Sequence, residues 1–273
     1  MEAIDRISVE PSRRCSKACS FCYNGSDAAG DGAWTVGDLR AFLLDCAAAG
    51  VRAVSIGGGE PLEWEGLFEL LGALQGRLFR SLTTNGLPLE LPGIFDELVR
   101  AGPDKVHLSI HSPENPREVE RTILWAARIH DAGIRSGINL LVRRSRLEAS
   151  ARALARMRQA GLDADRIVLL PMRGAGGDDT PLPIEVAAVA RGPFQSMSCL
   201  RGCAKSPRFV SVAADRTVAW CSYTVTRAPL AEPTHAAMLR ALDGLGLVPC
   251  SEALVRLGKK SPASAGAGSG RAE

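Results

Sequence analysis

The sequence predicts an α/β fold: a partial (β/α)6 TIM barrel over residues 1–191, a small C-terminal region over 192–257, and a tail over 258–273. Three observations predict it. Short apolar runs alternate with longer stretches of helical periodicity, the pattern of a parallel sheet covered by helices. Six such strand–helix units are present, two short of a closed barrel. Beyond residue 191 the alternation stops, and cysteines and a hairpin pattern take its place.

In chain order, strands are expected at 4–9, 51–56, 79–84, 105–110, 137–142 and 166–170. Helices are expected at 36–49, 67–75, 93–101, 117–132 and 147–160, with a sixth at 181–190. Thr35 is placed to cap the first helix, and Gly50 to end it. Gly133 and Gly161 close later helices, and Pro116 opens the fourth, a position where proline is tolerated. In the C-terminal region, 209–213 and 217–220 read as a hairpin turning through Ala214-Asp215-Arg216, followed by a helix at 234–242. The tail, rich in Ala, Gly and Ser, has little to bury and should be disordered.

Composition narrows the function classes. The 273 residues are 46% hydrophobic and 23% charged with a net charge of +3, ordinary for a soluble enzyme. That charge is too mild and too scattered to indicate nucleic acid or a membrane surface. No run approaches the roughly 18 apolar residues of a membrane span, and the N-terminus lacks the pattern of a signal peptide. The expected location is cytoplasmic. There, eight cysteines are better read as metal ligands or reactive groups than as disulfides. Cys46 stands alone within a helical pattern and reads as core.

The loop after the first strand reads Cys15-Ser-Lys-Ala-Cys19-Ser-Phe-Cys22. Three thiolates on one short loop can ligate three irons of a cubane and leave the fourth open to an exogenous ligand. A zinc site is the alternative, but zinc usually takes paired C-x-x-C units and a fourth ligand. The C-x-x-x-C-x-x-C spacing, with Phe21 before the last cysteine, resembles the radical S-adenosylmethionine (SAM) superfamily. The resemblance implies a [4Fe–4S] cluster on Cys15, Cys19 and Cys22, whose open iron binds the amine and carboxylate of SAM. It also implies an external reductant such as flavodoxin or ferredoxin, and a 5′-deoxyadenosyl radical that takes a hydrogen atom from substrate.

Gly57-Gly58-Gly59-Glu60-Pro61, directly after the second strand, is similar to that family's GGEP motif, which meets the SAM amine. Glycines leave backbone uncovered for close approach, and Glu60 can accept from an ammonium. Gly58, Gly59, Glu60 and Pro61 are therefore expected at the cofactor. Thr84-Asn85-Gly86, Ser109 with His111, Asn139, Arg143 and Leu170-Pro171-Met172 fall at or near successive strand ends. By resemblance, Ser109, Asn139 and Arg143 contact the SAM ribose or carboxylate. Tyr23 and Asn24 are further candidates for the SAM pocket.

Cys199, Cys203, Cys221 and Cys250 can form a closed set for zinc or iron–sulfur. The stretch from Cys203 through the hairpin to Cys221 resembles the start of SPASM and shorter twitch domains. That implies a second, auxiliary [4Fe–4S] cluster, although Arg216 stands where the family has a turn glycine. Cys250 reads as its fourth ligand, as a catalytic thiol returning a hydrogen atom, or as a buried structural cysteine.

Small size resembles the aminocyclitol- and aminoglycoside-modifying members, so a small-molecule substrate is expected, with epimerisation favoured over dehydrogenation. Glu10, Asp27, Asp31 and Glu114 are the carboxylates available to a cationic substrate. Ribosomal-peptide modification is a second reading, weakened by the mere fourteen residues before Cys15. A molybdopterin-precursor-type cyclase is a third, without the expected terminal Gly-Gly. An iron–sulfur carrier or scaffold would not call for the Gly57–Pro61 motif.

Overall fold

A computed structural model describes residues 4–173, 179–200, 202–204, 206 and 208–250. Six strands and six helices alternate: β1 (Arg6–Val9), α1 (Val36–Ala48), β2 (Ala53–Ile56), α2 (Leu67–Ala73), β3 (Phe79–Thr84), α3 (Ile94–Ala101), β4 (Lys105–Ile110), α4 (Pro116–Asp131), β5 (Arg135–Val142), α5 (Leu147–Gln159), β6 (Ile167–Pro171) and α6 (Pro183–Ala190). The expected elements all form, with bounds differing by a few residues. The expected disordered tail lies outside the described residues.

The strands run parallel in the order β1-β2-β3-β4-β5-β6, and β7 (Gln195–Ser196) adds a short parallel edge beyond β6. This is the expected partial barrel. Its core lies between sheet and helices, where Ile7, Val54, Leu82, Leu108 and Leu140 from the strands meet Leu39, Phe42 and Leu43 from α1 and Ala126 and Ile129 from α4, all fully buried. Each of the larger side chains contributes about 1.5–3 kcal/mol by leaving water. Cys46, on the buried face of α1, belongs to this core.

Local chemistry explains the boundaries. The Thr35 hydroxyl accepts from the Asp38 backbone N–H at 3.1 Å, capping α1, and Gly50 follows the helix at φ +101°, which L side chains rarely adopt. Asn115 caps α4 in the same manner, with Pro116 inside the first turn. No helix of the described residues is long and apolar enough to cross a membrane.

The C-terminal region is joined to the barrel more intimately than its composition implies. Its hairpin strands, β8 (Phe209–Val212) and β9 (Thr217–Ala219), continue the barrel's own sheet, with β8 parallel to β1 in register Arg6↔Phe209 to Val9↔Val212. Strand β10 (Ala228–Pro229) extends it further, and α7 (His235–Leu242) packs near β9 and β10. An uncovered β1 would present a row of unpaired backbone groups. The hairpin supplies their partners.

Arg216 closes this hairpin at φ +59°, a conformation that costs a non-glycine residue roughly 1–2 kcal/mol. Its guanidinium is anchored in return: it donates to the Ala33 carbonyl at 3.0 Å, pairs with Asp38 and stacks on Trp34 at 4.9 Å. Trp34 itself donates to the Ala213 carbonyl at 3.0 Å. Arg216→Ala and Arg216→Gly lose the same side-chain contacts, so their difference isolates the backbone. The alanine variant should be the less stable by about 1 kcal/mol in anaerobic denaturant unfolding; equal stabilities would mean that the turn relaxes.

Candidate active site

At the carboxyl ends of the barrel strands lies a cavity of about 310 Å³. Cys15, Cys19 and Cys22 line it from the loop after β1, and all three thiols are free and partly buried. Successive tight turns set their spacing: Ala18 N–H donates to the Cys15 carbonyl, Cys22 N–H to Cys19 and Gly25 N–H to Cys22. Ala18 takes φ +43° to make this path. The return strand of the loop is tied by Cys15 N–H to the Asp27 carbonyl at 2.7 Å.

Burial pushes the Cys15 and Cys19 thiols up, and Cys19 also feels Cys15 and Cys22 on either side. Mutual repulsion of three thiolates is the condition that a bound cation relieves. Among the described residues, no three His, Cys, Asp or Glu side chains close around a single point. Three thiols on one loop can ligate three irons of a cubane.

Gly57, Gly58 and Gly59 follow β2, and their roles separate. A side chain on Gly57 would meet nothing within 4 Å, so its backbone faces open space in the cavity. Gly58 and Gly59 line the cavity too, and they also serve the chain's own packing. A Cβ on Gly58 would lie 2.7 Å from that of Glu10, and one on Gly59 would lie 2.1 Å from the Arg14 carbonyl oxygen. With no side chain in the way, Gly59 N–H donates to Ser12 O at 3.0 Å and Glu60 N–H to Arg14 O at 2.7 Å.

The expected role of Glu60 as acceptor for the SAM ammonium meets a different geometry. Its carboxylate is 1% exposed and takes three internal donors: Leu62 N–H at 3.0 Å, Thr84 hydroxyl at 2.7 Å and Asn85 N–H at 2.7 Å. Burial still pushes its pKa up to about 7, against the pull of those donors. Asn85 Nδ2 in turn donates to Cys15 Sγ at 3.7 Å. Glu60 thus couples the glycine loop, the end of β3 and the first cysteine. Pro61 is buried in the turn that follows and does not line the cavity.

Ser109 and Asn139 line the cavity, as does the expected Leu170-Pro171-Met172 wall. Arg143 does not; it is paired with Asp179 at 2.7 Å and stacked on Phe21 at 5.1 Å, and Phe21 is the wall. None of Glu10, Asp27, Asp31 and Glu114 lines the cavity either. Glu10 is buried, accepting from the Tyr23 hydroxyl at 2.8 Å and from Asn24 at 3.4 Å, and Glu114 pairs with Arg146 at 3.5 Å.

One feature escaped sequence reasoning. Lys17, between the first two cysteines, forms a buried ion pair with Glu118 of α4 at 2.7 Å. Burial alone would push Glu118 up, but Lys17 and the N–H groups of His111 and Ser112 hold its pKa below the usual value. His111 lines the cavity with Nδ1 buried and unpartnered, and burial with Lys17 nearby pushes its pKa down to about 4. No local pattern announces a pair 101 residues apart.

The later cysteines lie within electrostatic reach of one another. Burial pushes the Cys221 thiol up, and Cys199, Cys203 and Cys250 all act on it in the same direction. Tyr223, two residues on, feels Cys199, Cys221 and Cys250 and stacks on Tyr23 with ring centroids 4.7 Å apart. Tyr23 and Tyr223 both line the cavity. The aromatic pair joins a residue next to Cys22 with one two residues after Cys221.

Glu60→Gln is the sharpest test of the coupling. Whichever way the amide turns, its NH2 faces the N–H of either Leu62 or Asn85, leaving a buried donor unpaired at about 1–3 kcal/mol. The variant should melt lower than wild type and lose iron faster to a chelator; unchanged melting and iron retention would remove the coupling.

Comparison with known proteins agrees with this geometry. The chain matches the Radical SAM superfamily over residues 9–174. A protein of Methanopyrus kandleri named "Probable GTP 3′,8-cyclase" is 36% identical over 105 residues, 38% of this chain and 33% of its own length. One of the same name from Methanocella arvoryzae is 30% identical over 114 residues, 42% of this chain and 36% of its own. The chain thus spans about a third of the length of the curated relatives it matches. Among solved structures, Streptococcus suis SuiB bound to S-adenosylmethionine superposes with a TM-score of 0.70 at 16% identity, covering 89% of this chain and 66% of that one. The enzyme anSMEcpe with bound AdoMet and a peptide superposes at 0.58 and 14% identity, covering 86% and 80%. These solved structures share the fold. Superfamily members bind a [4Fe–4S] cluster and SAM, and the three-thiol loop beside the open cavity fits both. This chain belongs to the radical SAM superfamily.

Proposed function

We propose that the chain holds its SAM-binding cluster on Cys15, Cys19 and Cys22, holds an auxiliary cluster on Cys199, Cys203, Cys221 and Cys250, and oxidises a hydroxyl-bearing carbon of a small molecule such as an aminocyclitol. When bound and reduced by one electron from an external donor such as flavodoxin, the SAM cluster would supply cleavage of SAM to methionine and a hydrogen-abstracting 5′-deoxyadenosyl radical. The auxiliary cluster would supply an acceptor for the second electron as the hydroxyl proton leaves to solvent. The observation that carries the reading is that Cys199, Cys203 and Cys250 all act electrostatically on Cys221, two residues before Tyr223, a wall of the cavity.

That company favours the ligand role for Cys250 over the hydrogen-donor role. With Cys250 engaged and Cys46 buried in α1, none of the eight cysteines is left to return a hydrogen atom to the opposite face. Dehydrogenation therefore gains over epimerisation, the sequence-based preference. The walls support a hydroxylated substrate over a polycationic one. Ser, Thr and Asn side chains line them along with Lys17 and Arg173, and the lining carboxylate, Glu60, is already committed.

The chain's own residues then have definite tasks. Gly57 offers uncovered backbone to the amino-acid end of SAM, and Met172 packs beside an adenine. His111 offers an uncommitted ring nitrogen to a substrate hydroxyl, and its neutral ring suits it to accept a hydrogen bond. Lys17 and Glu118 position the cysteine loop against the β4–α4 loop. Tyr23 and Tyr223 exclude water from the space between the two cysteine sets.

A second reading, the cyclase chemistry named for the curated relatives, rests on sequence likeness over about a third of their length. The third, peptide modification, rests on fold likeness to enzymes solved with peptides.

Reconstituted protein should carry about eight irons, falling to about four in Cys199→Ala and in Cys250→Ala; about four in wild type would remove the auxiliary cluster. With SAM and dithionite, wild type should release 5′-deoxyadenosine and Cys19→Ala should release none. Turnover in D2O of an aminocyclitol, GTP and a model peptide separates the readings. Oxidised aminocyclitol without solvent deuterium supports the proposal, deuterium at the changed carbon restores epimerisation, and turnover of GTP or peptide alone replaces it.

A further inference from the structure

A second cavity, of about 430 Å³, opens at the opposite end of the barrel, where the strands begin. Arg6 opens β1, Lys105 opens β4, Arg135 opens β5 and Arg166 immediately precedes β6, and all four line this cavity with a single carboxylate, Asp165. Among the described residues none of the four cations forms an ion pair. The nearby acids are spent elsewhere, Asp5 on Arg52 and Arg208 and Asp104 on Arg80.

Parallel pairing makes the crowding worse. Lys105 and Arg135 are direct partners in the β4–β5 register, and like charges directly opposite destabilise a sheet. Burial, Arg6 and Arg135 push the Lys105 pKa down. An anion at this place would turn that repulsion into attraction.

The floor points to a ligand independently of the rim. His107 is 8% exposed, lines the cavity and leaves Nε2 buried with no partner in the protein. Its Nδ1 lies 2.8 Å from Asn139 Oδ1. A neutral ring donating from Nδ1 leaves Nε2 as a bare acceptor, and burial, which pushes the pKa down to about 4, keeps the ring neutral. Gly137 clears the space: a Cβ there would lie 2.6 Å from Nε2.

We infer that the amino-terminal mouth of the barrel is a binding site for a phosphate-bearing small molecule, its phosphate held by Arg6, Lys105 and Arg135 and a hydroxyl donated to His107 Nε2. Arg166 frames the site while donating to the Ser136 carbonyl and hydroxyl at 3.0 and 2.7 Å. Asn139, the partner of His107, lines the upper cavity. The two sites are separated by that hydrogen-bonded pair and by Ser55, which lines both.

Equilibrium dialysis of the reconstituted protein at fixed ionic strength tests this with inorganic phosphate, ribose 5-phosphate and ribose. Saturable binding of the two phosphates and none of ribose is expected, with the sugar phosphate tighter. Equal affinity for both phosphates would overturn the hydroxyl contact and assign the site to the phosphate group alone. Lys105→Gln and Arg135→Gln should each weaken binding about tenfold or more, while Arg152→Gln, on the exposed face of α5, should not. Arg6→Gln, also on the rim, repeats the test if either of those variants fails to fold. The absence of saturable phosphate binding, or binding unchanged in folded rim variants, would overturn the inference.

Discussion

Two backbone hydrogen bonds, from Gly59 N–H to Ser12 O and from Glu60 N–H to Arg14 O, hold the loop after β2 against the loop after β1. The cavity depends on them. They bring two loops, each flexible alone, into one rigid surface with the three thiols on one side and the open backbone of Gly57 on the other. The contact tolerates no side chain at either Gly58 or Gly59, because a Cβ would lie only 2.7 Å from Glu10 Cβ or 2.1 Å from the Arg14 carbonyl oxygen. Glu60 then carries the constraint to β3 through Thr84 and Asn85. Lys17 and Glu118 carry it to β4 and α4. A site assembled from four strand ends is thereby held by buried hydrogen bonds and one buried ion pair, interactions that are costly to break singly.

The far end of the chain is bound to this frame by another backbone device. Pairing of β8 with β1 covers the barrel's exposed edge and at the same time delivers Ser222 and Tyr223 to the rim of the cavity. Arg216 makes that turn at φ +59°, where glycine would be unstrained, and its guanidinium fastens the turn to Ala33, Trp34 and Asp38. The arginine exchanges backbone comfort for anchorage between the two regions. Tyr23 against Tyr223 completes the closure, with the Tyr23 hydroxyl fixed by Glu10. Residues adjoining the two cysteine sets are thus in contact with each other.

Much of this was legible in the residues. Alternating apolar runs marked every barrel strand and helix, because burial imposes its period on the sequence. Cysteine spacing and the glycine run marked the site, because both are local and both belong to adjacent strand ends. Roles were less legible than positions. Glu60 looked available to a ligand ammonium, but its donors come from the next strand, 24 and 25 residues away. Arg143 looked like a cofactor contact, but Asp179 and Phe21 claim it from two other parts of the chain. Glu10 looked like a carboxylate for substrate, and Tyr23 and Asn24 occupy it. Apart from Leu62, which donates to Glu60 from two residues away, the competing partners come from other parts of the chain, and a side chain goes to the partner that the fold puts nearest.

The sequence by itself determined the barrel, the superfamily and which cysteines form two groups, since periodicity and short-range spacing are properties of neighbouring residues. The tertiary structure decided what those residues face. It turned Gly58 and Gly59 toward their own chain, committed Glu60 to internal donors, and drew Cys250 into the company of Cys199, Cys203 and Cys221. It also collected Arg6, Lys105, Arg135 and Arg166 from separate strands into one cationic mouth. Charge and hydrogen-bonding act over a few ångströms, and only the folded chain sets which groups lie within that distance.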